Sequence, residues 1–131
     1  SRFGATLVSM QESGRYLLKQ GASPRLIGII ADQTPSADEL DYWTNFLNQD
    51  TPVFLGTEKL AQKLNCPLVF VHIDRIKEGY YKMGFELLTE NPQAHPEGEL
   101  TNLHTQRLEE KIIMKPEQWL WSHRRWKHSR K

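Results

Sequence analysis

The chain has 131 residues, 25% of them charged and 38% hydrophobic, which is apolar material for one core and too little for several domains. No apolar run approaches the ~20 residues that cross a bilayer as a helix, and a single cysteine excludes an internal disulfide or a multi-cysteine metal site. The formal net charge of +1 hides an asymmetry: residues 115–131 carry six basic side chains and one acidic, so the preceding 114 carry eleven basic and fifteen acidic.

In chain order, residues 6–20 set Leu7, Met10, Gly14, Leu17 and Leu18 at spacings of three and four, with Gly21 as a stop, and predict a helix. The run PRLIGIIADQTP, opened by Pro24 and broken at Asp32, predicts a strand buried on both faces of a partly parallel sheet. Residues 36–56 mix acidic, aromatic and turn residues without a period and are read as a long functional loop with at most one helical turn. GTEKLAQKLN predicts a second helix ending at Asn65, and Cys66 in LNCPL reads as a small buried hydrophobe in a protein of a reducing compartment.

PLVFVHIDRI and YYKMGFELL around the turn KEG predict two antiparallel strands. TENPQAHPEGEL is a surface connection. From Thr101 a helix follows, with His104, Leu108 and Ile112 on one face and a stop at Pro116, and residues from 117 form a further short helix. The succession of elements predicts an α/β fold in one unit, residues 1–131.

The last seventeen positions hold three tryptophans, two histidines and the six cations. As a helix they put Trp119, His123 and Trp126 on one face and Trp121, Arg125 and His128 on another. Three uses are open: tryptophans that cap the core beside solvated arginines, a membrane-surface contact of Trp with Lys or Arg, or a nucleic-acid arm, which the acidic remainder of the chain disfavours.

Among chemical candidates, His72 and Asp74 lie two apart in a strand and face the same way, as a structural polar pair. His95 and His128 have no partner at a recognisable spacing. His104 and Glu109, four residues between them, have the spacing of an acyl-transfer dyad, but positions five apart in a helix diverge by about 140°, so His104 is read as a packed residue. No Gly-rich phosphate loop, nucleophile elbow or zinc-type histidine pair is present. Asp32 and Gln33, at the carboxyl end of the predicted strand, stand where open α/β sheets meet ligands; the alternative for Asp32 is a turn cap before Thr34 and Pro35.

GIIADQTP at 28–35, TPVFLGTEKLAQKLNCPLVFVHIDR at 51–75 and LEEKIIMKPEQWLWSHRRWKH at 108–128, with SRFGATLV at the start, resemble the carboxy-terminal half of the bacterial lipid A biosynthesis acyltransferases, the lauroyl and myristoyl transferases. The resemblance spans nearly the whole chain and is most specific at PEQWLWSHRRWK. It implies a partial three-layer sandwich of the glycerol-3-phosphate acyltransferase-like class, with a mixed sheet and flanking helices. It also implies transfer of a fatty acyl chain from acyl carrier protein or coenzyme A to a hydroxyl of a lipid A precursor, at the cytoplasmic face of the inner membrane, without metal or redox cofactor. In such enzymes a histidine and a following acid remove the hydroxyl proton.

That pair lies upstream of the segments matched here, and the opening SRFGATLVSM has no initiator Met. The expectation is therefore a piece of a longer acyltransferase, inactive alone, lacking the dyad and an amino-terminal anchor, and prone to self-association through uncovered apolar faces. By the same resemblance Arg2, Asp32 and Gln33, and more weakly Glu58 and Arg75, serve substrate binding, with Arg2 gripping phosphate or carboxylate. Trp121, Arg124, Arg125 and Lys127 are candidates for contact with the membrane or the carrier protein. The rival readings are a phospholipid-directed acyltransferase, whose Pro-Glu-Gly-Thr-Arg block is absent (HPEGEL echoes it superficially), and a non-catalytic membrane- or protein-binding module on the same scaffold. Acyl chain length, acceptor position and oligomeric state are not legible in the sequence.

Overall fold

The computed structural model describes residues 3–20 and 25–130. They form three helices and two small antiparallel sheets: α1 (Met10–Lys19), the hairpin β1 (Trp43–Phe46) and β2 (Gln49–Pro52), α2 (Gly56–Leu64), the hairpin β3 (Leu68–Lys77) and β4 (Tyr80–Thr89), and α3 (Glu99–Met114). The α/β class, α2, the β3–β4 hairpin and α3 follow the sequence pattern. Asn65 closes α2 in the left-handed region (φ 48°), where Asn is tolerated because its short polar side chain bonds locally. Cys66 is part-exposed, a free thiol rather than a fully buried hydrophobe.

Three expectations are corrected. Residues 25–35 form no strand: Leu26 is 96% and Ile30 80% exposed. An apolar run becomes a strand only where a neighbouring edge supplies hydrogen bonds, and among the described residues β3 pairs only with β4. The mixed, partly parallel sheet is accordingly absent from them.

The stretch read as a loop contains the β1–β2 hairpin, closed by Leu47 (φ 51°) and Asn48 (φ 60°). Two left-handed residues make the tight turn whose twist suits a hairpin, although Leu is an unusual occupant. The Glu109 carboxylate on α3 accepts the Leu47 N–H at 2.8 Å and fixes the turn. Finally, the tail beyond α3 is a single 3-10 turn, Pro116–Gln118, followed by irregular chain. It folds back as core: Trp119 and Trp126 pack on Phe46 with ring centroids 6.4 and 6.3 Å away. Trp126 Nε1–H donates to Thr51 Oγ1 at 2.8 Å, and such ring pairs add about 0.5–1.5 kcal/mol each beyond area burial.

The core is small: Phe46, Val53, Leu55, Ala61, Phe70, Leu100 and Ile112. Between α2 and α3 sits a buried carboxylate, Glu58. It accepts the Gly98 N–H (2.7 Å), the Thr101 N–H (2.8 Å) and the Thr101 hydroxyl (2.6 Å), capping α3 from another helix. Gly98 has φ 90°, and a side chain there would also strike the Tyr42 hydroxyl. On the outer face of β3–β4, Val69, Val71 and Ile73 stand opposite Leu87, Phe85 and Met83, all 43–66% exposed. The inner face, with Phe70, His72 and Asp74, turns toward α3 and the tail. Removing the Glu58 cap leaves buried donors unpaired at about 1–3 kcal/mol each. Glu58→Ala is therefore expected to lower the unfolding free energy in urea by about 2–4 kcal/mol, whereas exposed Glu90→Ala stays within about 0.5 kcal/mol.

Candidate functional site

A cavity of about 390 Å³ lies between β3, α3, residues 29–32 and the start of the tail. Strand periodicity sends Phe70, His72 and Asp74 to it from β3. Helical spacing sends His104, Leu108 and Lys111 from α3, whose residues three and four apart share a face, and Lys115 follows just past its end. Ile29, Ile30 and Asp32 close one wall and Gln118 and Trp119 another. The site is thus apolar over much of its lining, with carboxylates, imidazoles and ammonium groups set among the apolar side chains.

Asp32 exerts its charge on two bases, the buried Arg125 and the part-buried His104. Arg125 is only 3% exposed; its guanidinium donates to the Pro52 carbonyl at 2.9 Å and lies over the Phe46 ring at 5.7 Å. Burial pushes the Arg125 pKa down to about 10 and Asp32 offsets part of that, so the guanidinium stays charged at neutral pH. Burial likewise holds the His104 imidazole below its ordinary range, with Asp32 again opposing.

The segment carrying Asp32 is tied to the tail through Thr34. Its hydroxyl donates to the Arg125 carbonyl at 2.7 Å, and its N–H donates to His123 Nε2 at 3.3 Å. Farther along the cavity, Lys115 Nζ donates to Asp74 at 2.8 Å, and this hydrogen bond, outweighing burial, keeps the Asp74 carboxyl below the usual carboxylate range.

His104 and Glu109 do not meet: Glu109 serves the Leu47 turn, and His104 stands edge-on to Phe70 at 5.4 Å. His72 and Asp74 do approach, Nε2 to Oδ2 at 3.7 Å, but the same Nε2 takes the Lys111 ammonium at 3.2 Å and Asp74 is held by Lys115. A proton-abstracting imidazole needs one nitrogen on its carboxylate and the other free toward the substrate. Here both contacts converge on one nitrogen, and Nδ1 is buried without a partner, so this is a structural pair. His95 has partners that its spacing did not announce, Glu99 at 3.2 Å and Thr89 Oγ1 at 3.0 Å. They close the 89–99 connection, outside the cavity lining.

Of the other sequence candidates, Asp32 lines the cavity and Gln33 is exposed beside it. Glu58 is a buried carboxylate that caps α3 and stands outside the cavity lining. Arg75 is exposed, its N–H and carbonyl paired with the Gln118 side chain. Arg2 lies outside the described residues. Trp121, Arg124 and Lys127 are exposed, but Arg125 is corrected to an interior residue, because its cation is spent on Pro52, Phe46 and the field of Asp32. Sequence reasoning missed Lys111, Lys115 and Thr34; the i,i+4 lysine spacing opposite a strand His-x-Asp was the available signal for the first two.

Because folded His104 resists protonation, the unfolded chain binds more protons below about pH 6.5. The stability contributed by neutral His104 is complete above that value and lost as pH falls from it toward the lower folded pKa. Urea unfolding at pH 7.5 and 5.0 should therefore show a smaller loss in His104→Gln than in the parent; equal losses would contradict the assignment.

The family profile described as bacterial lipid A biosynthesis acyltransferase matches residues 1–128. Comparisons with curated proteins and with solved structures gave no match. A match over nearly the full length, on a chain whose tail and cavity are built from the matched segments, shows that the chain belongs to the bacterial lipid A biosynthesis acyltransferase family.

Proposed function

We propose that the chain is the carboxy-terminal part of an O-acyltransferase that moves a fatty acyl chain from acyl carrier protein, or coenzyme A, to a hydroxyl of a lipid A precursor. The observation that carries this reading is the largely apolar cavity with Asp32 on its wall, in the field of buried Arg125 and part-buried His104. The apolar lining suits hydrocarbon, and a carboxylate on the cavity wall suits the polar end of an acceptor. In the reaction the acceptor oxygen attacks the thioester carbonyl, a base takes the hydroxyl proton, and the C–S bond breaks to release the carrier thiol. Nothing in that balance requires a metal or redox cofactor.

The base is contributed from outside residues 1–131. Among the described residues the imidazoles of His72, His95, His104 and His123 are each engaged with a lysine, a loop, an aromatic ring or the Thr34 strap, and His128, whose Nε2 is buried without a partner, stands outside the cavity lining. The uncovered apolar face of β3–β4 supports the same division, since it suits burial against more of one domain of the glycerol-3-phosphate acyltransferase-like class. In the isolated chain it favours self-association. Among the described residues no helix is long and apolar enough to cross a membrane. We assign the protein to the cytoplasmic face of the inner membrane on family grounds, with Trp121, Arg124 and Lys127 free to meet lipid or carrier protein.

In an assay with lauroyl- or myristoyl-carrier protein and a lipid A precursor, Asp32→Ala in the full-length protein should lower kcat/KM about a hundredfold, the order that misplacing a bound substrate costs. Near-normal transfer with an unchanged unfolding midpoint would remove Asp32 from the site.

A further inference from the structure

Residues 26–35 form no strand, so no hydrogen-bonded ladder fixes the segment that carries Asp32. Packing holds it weakly as well, because Leu26, Ile29 and Ile30 are all exposed. The hydrogen bonds that tie residues 26–35 to the rest of the described chain are all made by Thr34, and all reach the tail. Pro35 beside it is buried, and Asp32 stands two residues back on the cavity wall.

The direction of each bond decides the chemistry. A backbone N–H can only donate, so the Thr34 N–H at 3.3 Å from His123 Nε2 requires a lone pair on that nitrogen, and the ring proton sits on Nδ1. The Thr34 hydroxyl has one proton. The Arg125 carbonyl at 2.7 Å takes it ahead of the Arg124 carbonyl at 3.3 Å and His123 Nε2 at 3.4 Å. The accepting end is itself fixed: the His123 N–H bonds the Leu120 carbonyl at 3.0 Å, the Arg125 N–H bonds the His123 carbonyl at 2.8 Å, and Trp119 and Trp126 on either side pack on Phe46. Core packing thus reaches Asp32 through one imidazole acceptor and one carbonyl.

We propose that His123 and Thr34 are positioning residues that act on the transfer reaction through Asp32: neutral His123, protonated on Nδ1, accepts the Thr34 N–H and keeps the Asp32 carboxylate at the cavity wall. The effect on transfer rests on the acyltransferase reading of Asp32, whereas the tether depends only on these bonds. Misplacing a reacting group by about 1 Å costs on the order of a hundredfold, and loss of one bond of two allows part of that displacement. What the position requires is an acceptor where Nε2 lies. A glutamine amide oxygen supplies one and an alanine does not.

The test uses the full-length protein in the transfer assay with a lipid A precursor, the unfolding midpoint of each variant, and NMR of the ring nitrogens in histidine-labelled protein. His123→Ala should lower kcat/KM about tenfold, raising KM for the acceptor and leaving KM for the acyl donor unchanged, and His123→Gln should restore most of the loss. In the double variant with Asp32→Ala, transfer should fall no further than in Asp32→Ala alone, because a residue acting through Asp32 then has nothing left to act on. Thr34→Val, which keeps the N–H and removes the hydroxyl, carries the same cycle if His123→Ala does not fold. Losses that multiply in the double variant overturn the proposal. So does a loss confined to kcat, which a smaller folded fraction would give, or a folded His123→Gln no better than His123→Ala. A ring proton found on Nε2 overturns the tether with no variant at all. Near-normal transfer in the Asp32→Ala single variant defeats the reading of Asp32 and the kinetic part of this proposal with it, and the ring tautomer then decides the tether separately.

Discussion

Phe46 clasped between Trp119 and Trp126 is the contact on which the rest of the molecule depends. It joins the β1–β2 hairpin to the end of the chain, more than seventy residues away, in a protein with few fully buried apolar side chains. With the tail seated there, Arg125 falls inside, Thr34 finds the Arg125 carbonyl and His123, and Asp32 is carried to the cavity wall. Trp119 belongs to both the core and the cavity, so packing that stabilises the fold also shapes the site.

The price of that arrangement is a buried cation. A guanidinium at 3% exposure keeps its charge only because a carbonyl, an aromatic face and the nearby Asp32 compensate its desolvation in part. Its Nε remains without a partner, which marks the site as incompletely satisfied. A hydrophobic residue of equal volume would pack there with less strain on hydration. An arginine in that place instead keeps a positive charge in the interior within the field of Asp32.

Much of the architecture was legible. Helical spacing found α2 and α3, the Gly-containing turn found the β3–β4 hairpin, and the quoted segments led to the family that the profile match establishes. What was illegible depended on long-range contacts. The turn at Leu47 and Asn48 lacks the usual Gly, and only Glu109 from α3 reveals why it holds. Residues 25–35 have the composition of a strand, but pairing is a property of the neighbour and not of the run. Glu58 looks like a surface acid in a helix, and its role appears only when Gly98 and Thr101 arrive from another helix. At the cavity, Asp32 was singled out as the carboxyl end of a strand that does not form, and it nonetheless lines the cavity wall, while Lys111 and Lys115 passed as surface lysines because their partners lie on β3.

The tail most sharply separates two accounts of this chain: a basic, solvent-exposed arm, or an interior segment that holds the cavity together. Indole hydrogen exchange decides between them, because Trp126 Nε1–H is bonded to buried Thr51 while Trp121 is 56% exposed and its Nε1–H is bonded only to the Pro116 carbonyl at the surface. The interior account predicts that the Trp126 indole proton exchanges only on global unfolding, and far more slowly than that of Trp121. Exchange of Trp126 at the rate of a free indole would contradict it.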